Sequence, residues 1–267
     1  MTNSERGQVV RSAAEVYQDF FVPALFQQWA ERVAGFANLR ANDGVLDVAC
    51  GTGVLTRAIA ERTGSPENII GLDINEGMLA VARRTSEAID WRKGQAEDLP
   101  FEDNHFDAVV SQFGLMFFEN RTQAITEMVR VLKPKGTLVV AVWDKLDNTA
   151  GYAAMAKLLE RLFGTDIASS LYAPFNLGDT SQLRPLFDHP LLSDVTIKTL
   201  DGTAKFPSIE DWVYTDIKGW TLADQIDDEQ YQLLLTEAKK DLARFVIDDA
   251  TVAFDAPAHI VIAQKKD

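Results

Sequence analysis

Val45-Leu46-Asp47-Val48-Ala49-Cys50-Gly51-Thr52-Gly53 is the stretch whose reading decides the fold. Its first five residues are an apolar run broken only by Asp47, of a length that suits a buried strand and is too short for a helix. A turn of small residues follows. Val54, Leu55, Ala58 and Ile59 then recur at helical spacing, until Gly64 and Pro66 end the pattern. Small residues at a strand-to-helix turn let a ligand approach the backbone closely and leave the helix's first N–H groups free.

Working outward, short β-rich runs at Ile69–Asp73, Asp90–Lys93, Phe106–Ser111 and Thr137–Trp143 alternate with helical patterns. Asn75 is placed as an N-cap, with Met78, Leu79 and Ala82 on the inner face of the helix it opens. The helix from Arg121 to Val131 buries Ala124, Ile125, Met128 and Val129 and is stopped by Pro134 and Gly136. Strands alternating with helices imply parallel neighbours joined by crossovers, hence a doubly wound α/β sheet. Such a sheet binds ligands beyond the carboxyl ends of its strands.

On the N-terminal side, Ser12 to Phe36 reads as two helical pieces. Pro23 starts the second, and Phe26, Trp29, Ala30, Val33 and Phe36 form its inner face. On the C-terminal side the spacing predicts a helix over Ala150–Phe163 and strands over Val195–Leu200 and His259–Ala263. Between the strands lie two capped helices. One opens at Ser208 with Glu210 and Asp211 in its first turn, the other at Asp227 with Gln230 completing a capping box. The expectation is one domain over 1–267 with a mostly parallel seven-stranded sheet. Residues 1–40 form an N-terminal helical lid and 41–149 the cofactor-binding core, and insertions at 150–190 and 202–250 cap an acceptor pocket.

The chain of 267 residues is 46% hydrophobic and 25% charged, enough apolar content for a large core. Its 26 basic and 40 acidic residues give a net charge of -14, with no basic stripe to suit nucleic acid or an anionic membrane. Neutral or cationic small molecules are the favoured partners, and a homodimer is left open. Cys50 is the only cysteine, so no intrachain disulfide forms. The polar start MTNSERGQ has no apolar signal core, and no apolar run reaches the roughly 18 residues of a membrane span. A cytoplasmic protein is expected. No His, Cys or Asp cluster has metal-ligand spacing, so no metal is predicted.

Asp73 ends the second strand about 20 residues after the glycine turn, where a carboxylate accepts hydrogen bonds from ribose hydroxyls. A dinucleotide site shares these features. Two details separate the alternatives: Thr56 stands where the third glycine of G-x-G-x-x-G belongs, and Asp47 precedes the turn. A carboxylate there repels the pyrophosphate of NAD or FAD. It attracts the ammonium and sulfonium of S-adenosylmethionine (SAM), which carries no phosphate.

Residues 45–143 resemble a class I SAM-dependent methyltransferase, similar to the ubiquinone/menaquinone C-methyltransferase group. The resemblance rests on VLDVACGTGVLT (45–56), IIGLDINEGMLAVAR (69–83), GQAEDLPFEDNHFDAVVSQFGLMFF (94–118) and EMVRVLKPKGTLVVAVW (127–143). It implies that Asp47, Ala49, Gly51 and Gly53 line the methionine end of SAM and that Asp73 holds the ribose. Ile74 and Met78 would then flank the adenine, Gln95, Ala96 and Glu97 its polar edge, and Ser111 to Phe113 the transferred methyl. Ala49 replaces a glycine common in relatives, a mild change on size alone. Gln95 replaces a common aspartate, so its contact to the adenine amino group carries no charge.

The sulfonium of SAM is already activated. The protein's task is therefore to hold the acceptor in line with the methyl and to exclude water. Gln112, Phe113 and Met116 follow the fourth strand on the rim where an acceptor sits, and Tyr17 and Phe20 are placed to close over it or to pack as core. No catalytic base is assigned. His105 precedes its strand, at the wrong end of the sheet, His189 lies in a loop, and His259 begins the last strand. Two other readings stand beside methyl transfer. One is an NAD(P)-dependent oxidoreductase, which calls for a Tyr-x-x-x-Lys pair that the chain is read as lacking; the other is a non-catalytic SAM-binding or scaffold subunit.

Overall fold

A computed structural model describes residues 11–219, 222 and 225–267. Seven strands form one sheet: β1 (Val45–Val48), β2 (Ile69–Asp73), β3 (Asp90–Lys93), β4 (Phe106–Gln112), β5 (Leu132–Trp143), β6 (Leu192–Leu200) and β9 (Ala258–Lys265), in the order β3-β2-β1-β4-β5-β9-β6. The first five pair in parallel, and β9 is antiparallel to both of its neighbours. β1 and β2 are buried throughout, as central strands covered on both faces must be. The α/β sheet expected from the sequence is the one observed. A second, two-stranded sheet pairs β7 (Thr203–Phe206) with β8 (Val252–Asp255), a pairing the sequence did not announce.

Among the crossover helices, α3 (Val54–Thr63) opens at Gly53 and ends on Gly64, both in the left-handed region. The next, α4 (Glu76–Thr85), is capped by the Asn75 side chain, which accepts from the Gly77 and Met78 N–H groups. The third, α5 (Arg121–Val131), follows an Asn120 cap. Beyond the sheet lie α6 (Ala150–Phe163), α7 (Thr165–Tyr172), α8 (Thr180–Leu183), α9 (Ile209–Lys218) and α10 (Asp228–Asp241). Ser208 caps α9, and Asp227 with Gln230 forms the expected capping box on α10.

The N-terminal region departs from expectation. Instead of two helices with Pro23 starting the second, α1 (Arg11–Val16) runs through a π-helical stretch, Tyr17–Phe26, into α2 (Gln27–Phe36). Pro23 sits inside that stretch, and the Gln27 N–H bonds to the Val22 carbonyl five residues back. The wider turn carries a residue that has no N–H to donate without ending the helix. Trp29 is fully buried, and Phe21 and Phe26 pack with it into the main core. No helix among the described residues is long and apolar enough to cross a membrane.

Candidate active site

The β1 tip opens into a broad cleft over the carboxyl ends of the parallel strands. Asp47, Ala49 and Gly51 line it from the first strand and its turn, Asp73, Ile74 and Met78 from the second, and Gln95, Ala96 and Glu97 from the loop after β3. Gln112 and Phe113 close the side toward β4, and Tyr17 approaches from the π-helical stretch. Asp47, Asp73, Glu97 and Glu119 put four carboxylates on the lining, and among the described residues that line it none is basic.

Asp47 is 1% exposed, and its Oδ2 accepts a 2.6 Å bond from the Thr56 hydroxyl. Thr56 is the residue that displaces the third glycine of a dinucleotide motif, and here it fixes the carboxyl that distinguishes the site. Burial pushes the Asp47 carboxyl up to about 7, the Thr56 bond opposes the rise, and the neighbouring Asp73 adds to it. Asp73 is also raised by burial, against the pull of N–H donors from Asn75 and Gly51. Its Oδ1 accepts from the Asn75 N–H and its Oδ2 from the Gly51 N–H, each at 2.8 Å. Asp73 thus ties the glycine turn to the second strand, and each oxygen keeps a further lone pair for a ligand. Burial, then Asp73 and Asp47, push the Cys50 thiol up, so it is no nucleophile.

The turn has room for a ligand. Gly51 sits at φ +56°, and a methyl group built on it would meet nothing within 4 Å. Ala49 adopts φ 59°, so its methyl group occupies a conformation that glycine takes without cost; the substitution is less mild than its size suggests. The buried Oε1 of Gln112 has no hydrogen-bond partner, while its Nε2 donates to the Phe26 carbonyl at 3.3 Å. An open turn, an unpartnered buried acceptor and paired carboxylates fit a cationic nucleoside.

Four residues expected at the site do not line this cavity. Gly53 faces Trp91 instead: a Cβ there would lie 2.2 Å from the indole, so the glycine serves strand-to-helix packing. Ser111 is fully buried, with its hydroxyl behind Gly114. Met116 turns into the core within the 3₁₀ turn Leu115–Phe117, and Phe117 and Phe118 line the cavity in its place. Phe20 packs on Tyr214 with ring centroids 5.5 Å apart; the π winding turns Phe21 inward instead. None of the three histidines lines it. His259 lies at the correct rim because β9 is reversed, but its ring is engaged by Thr199, Asp144 and Gly178. A Tyr-x-x-x-Lys spacing, passed over in the sequence, does occur at Tyr214 and Lys218, and neither residue lines the cavity.

A second, smaller cavity adjoins the first behind an aromatic partition. Phe113 on the first cavity stacks on Trp143 of the second at 3.7 Å and 5°, and Tyr17 packs on Phe26 at 5.0 Å. Phe21, Leu25, Tyr152, Phe175 and Asp216 complete most of its wall. Sequence reasoning missed Asp216. The available signal was a carboxylate on the buried face of α9, in register with Trp212, Val213 and Ile217.

Residues 46–140 match the methyltransferase domain family. The chain is 32% identical over 185 residues to the ubiquinone/menaquinone biosynthesis C-methyltransferase of Pseudomonas fluorescens (strain Pf0-1), covering 66% of this chain and 72% of that one. It is 33% identical over 187 residues to the demethylmenaquinone methyltransferase of Staphylococcus carnosus (strain TM300), covering 65% and 78%. Among solved structures it resembles phosphoethanolamine N-methyltransferase 2 of Haemonchus contortus in complex with SAM, with a TM-score of 0.64 at 17% identity, covering 100% of this chain and 60% of that one. The chain belongs to the class I SAM-dependent methyltransferases, similar to the ubiquinone/menaquinone C-methyltransferase group.

Proposed function

We propose that the cavity at the β1 tip holds SAM and that the chain delivers its methyl group to a small molecule entering past the aromatic partition. The observation that carries this reading is the lining of four carboxylates and no base, which suits a cation and opposes a pyrophosphate. Asp47 and the bare turn at Ala49 and Gly51 receive the methionine end. Asp73 accepts from the ribose, Ile74 and Met78 sandwich the adenine, and Gln95, Ala96 and Glu97 border its edge. The same electrostatics disfavour NAD(P).

When bound, SAM supplies an electrophilic methyl on a sulfonium that needs no further activation. The chain's own work is positioning. Gln112 and Phe113 shape the side from which the acceptor comes, and the N-terminal helical run (within 1–40) and the segments 150–190 and 202–250 shield the site from water. Phe113 stacked on Trp143 and Tyr17 packed at a tilt on Phe26 give that side a rigid, apolar surface.

Asp73→Ala tests the assignment. Both the ribose acceptor and the anchor of the Gly51 N–H are lost, so SAM affinity measured by calorimetry falls by roughly 1–3 kcal/mol. Unchanged affinity removes Asp73 from the site.

A further inference from the structure

We infer that the second cavity is the acceptor subsite and that it takes an apolar amine, with Asp216 as the counter-ion of its ammonium group and Thr149 as a second polar contact. This rests on the methyl-transfer reading and gives it a substrate class. The cavity is walled by aromatic and aliphatic side chains, and among the described lining residues Asp216 supplies the one carboxylate. Asp216 is 1% exposed; its Oδ1 accepts from the Tyr152 hydroxyl at 3.4 Å, and its Oδ2 has no hydrogen-bond partner. Thr149, 0% exposed on the same wall, likewise has an unpartnered hydroxyl. Two buried polar atoms left unpaired on one cavity are expensive unless a ligand completes them.

The type of polar group selects the ligand. A neutral hydroxyl needs only a neutral acceptor such as an amide, which is far cheaper to bury than a carboxylate. Among the described residues that line this cavity, none is cationic. Burial holds its carboxyl well above the usual range, and Tyr152 and Trp212 offset part of that rise without completing Oδ2. An incoming ammonium favours the ionised carboxylate that burial alone disfavours, and the rings of Phe21, Phe26, Trp143 and Phe175 suit a cation bearing apolar substituents. The partition formed by Phe26, Phe113 and Trp143 lies between this cavity and the cofactor cavity. The ammonium on Asp216 has no lone pair, so the methyl goes to a second, nucleophilic atom of the ligand on the side of that wall: its lone pair forms the new bond to the methyl carbon, and the electrons of the broken S–C bond stay on sulfur.

The test measures binding of 2-phenylethylamine and 2-phenylethanol to the full-length protein saturated with S-adenosylhomocysteine, so that the Asp47 cavity is filled. The wild type is expected to prefer the amine by about tenfold or more, the scale of one charge-assisted hydrogen bond. Asp216→Asn keeps shape and removes charge, and it should bring the two ligands within about twofold, with Thr149→Val weakening both. Equal binding of the two by the wild type, tighter binding of the alcohol, or a preference that survives Asp216→Asn overturns the inference. S-adenosylhomocysteine binding is read in the same samples. Its retention in Asp216→Asn separates the acceptor assignment from the cofactor one, and its absence in the wild type overturns the reading beneath both.

Discussion

Asp47→Asn should make the cofactor-free protein more stable at neutral pH and unchanged in acid. The buried carboxyl is raised from its usual 3.8 to about 7. Between those values the folded protein keeps a proton that the unfolded chain has released, so stability falls as pH rises and the loss is complete above about 7. At 1.36 kcal/mol for each tenfold change in the proton equilibrium, the accumulated penalty is about 4 kcal/mol. Asparagine is nearly isosteric, its carbonyl can accept the 2.6 Å bond from Thr56, and it has no charge to desolvate. Thermal unfolding without cofactor, from pH 4.5 to 8, should therefore show the two proteins together in acid. The variant should pull ahead by on the order of 10 °C at pH 8, on the few-degrees-per-kcal scale of a chain this size. A gap independent of pH, or a wild type that is the more stable at pH 8, would refute the reasoning.

Two further expectations follow from the same geometry. SAM should bind about tenfold more weakly for each pH unit below about 7 and level off above it, because a cation selects the ionised Asp47. Calorimetry at pH 6.5 in buffers of different ionisation enthalpy should register proton release, and its absence removes Asp47 as the titrating group. Gly53→Ala combines φ +84° with a 2.2 Å approach to Trp91 and should cost about 2–4 kcal/mol in urea unfolding. Adding Trp91→Leu should restore only the steric part, and a loss below about 1 kcal/mol would show that the turn relaxes freely.

Most of the main sheet was legible because its strands carry apolar or β-branched runs, β3 (Asp90-Trp91-Arg92-Lys93) being the exception, and Asp47 and Asp73 stand out as carboxylates in or at the end of buried strands. The β7·β8 pair was not: Thr203–Phe206 alternates in burial, but its partner lies far along the chain with no tight turn to announce it. Pro23 was read as a helix start because a standard α-turn has no room for it, whereas a π-turn does. That winding exchanges Phe20 for Phe21, and the 3₁₀ turn after β4 exchanges Met116 for Phe117. In both places the expected residue and the one that takes its place are neighbours in the chain that the local winding turns to opposite sides. Gly53 misled differently, since a glycine that admits a ligand and one that admits a tryptophan look alike in sequence.

Because four carboxylates surround the cofactor cavity with no base among its described lining residues, the cavity also distinguishes the donor before and after reaction. The attraction it exerts on a sulfonium plus an ammonium exceeds that on an ammonium alone. Transfer of the methyl group therefore loosens the protein's hold by the electrostatic share of one charge. With SAM held there as proposed, the product should bind more weakly than the donor, and raising ionic strength should narrow that preference from the donor's side.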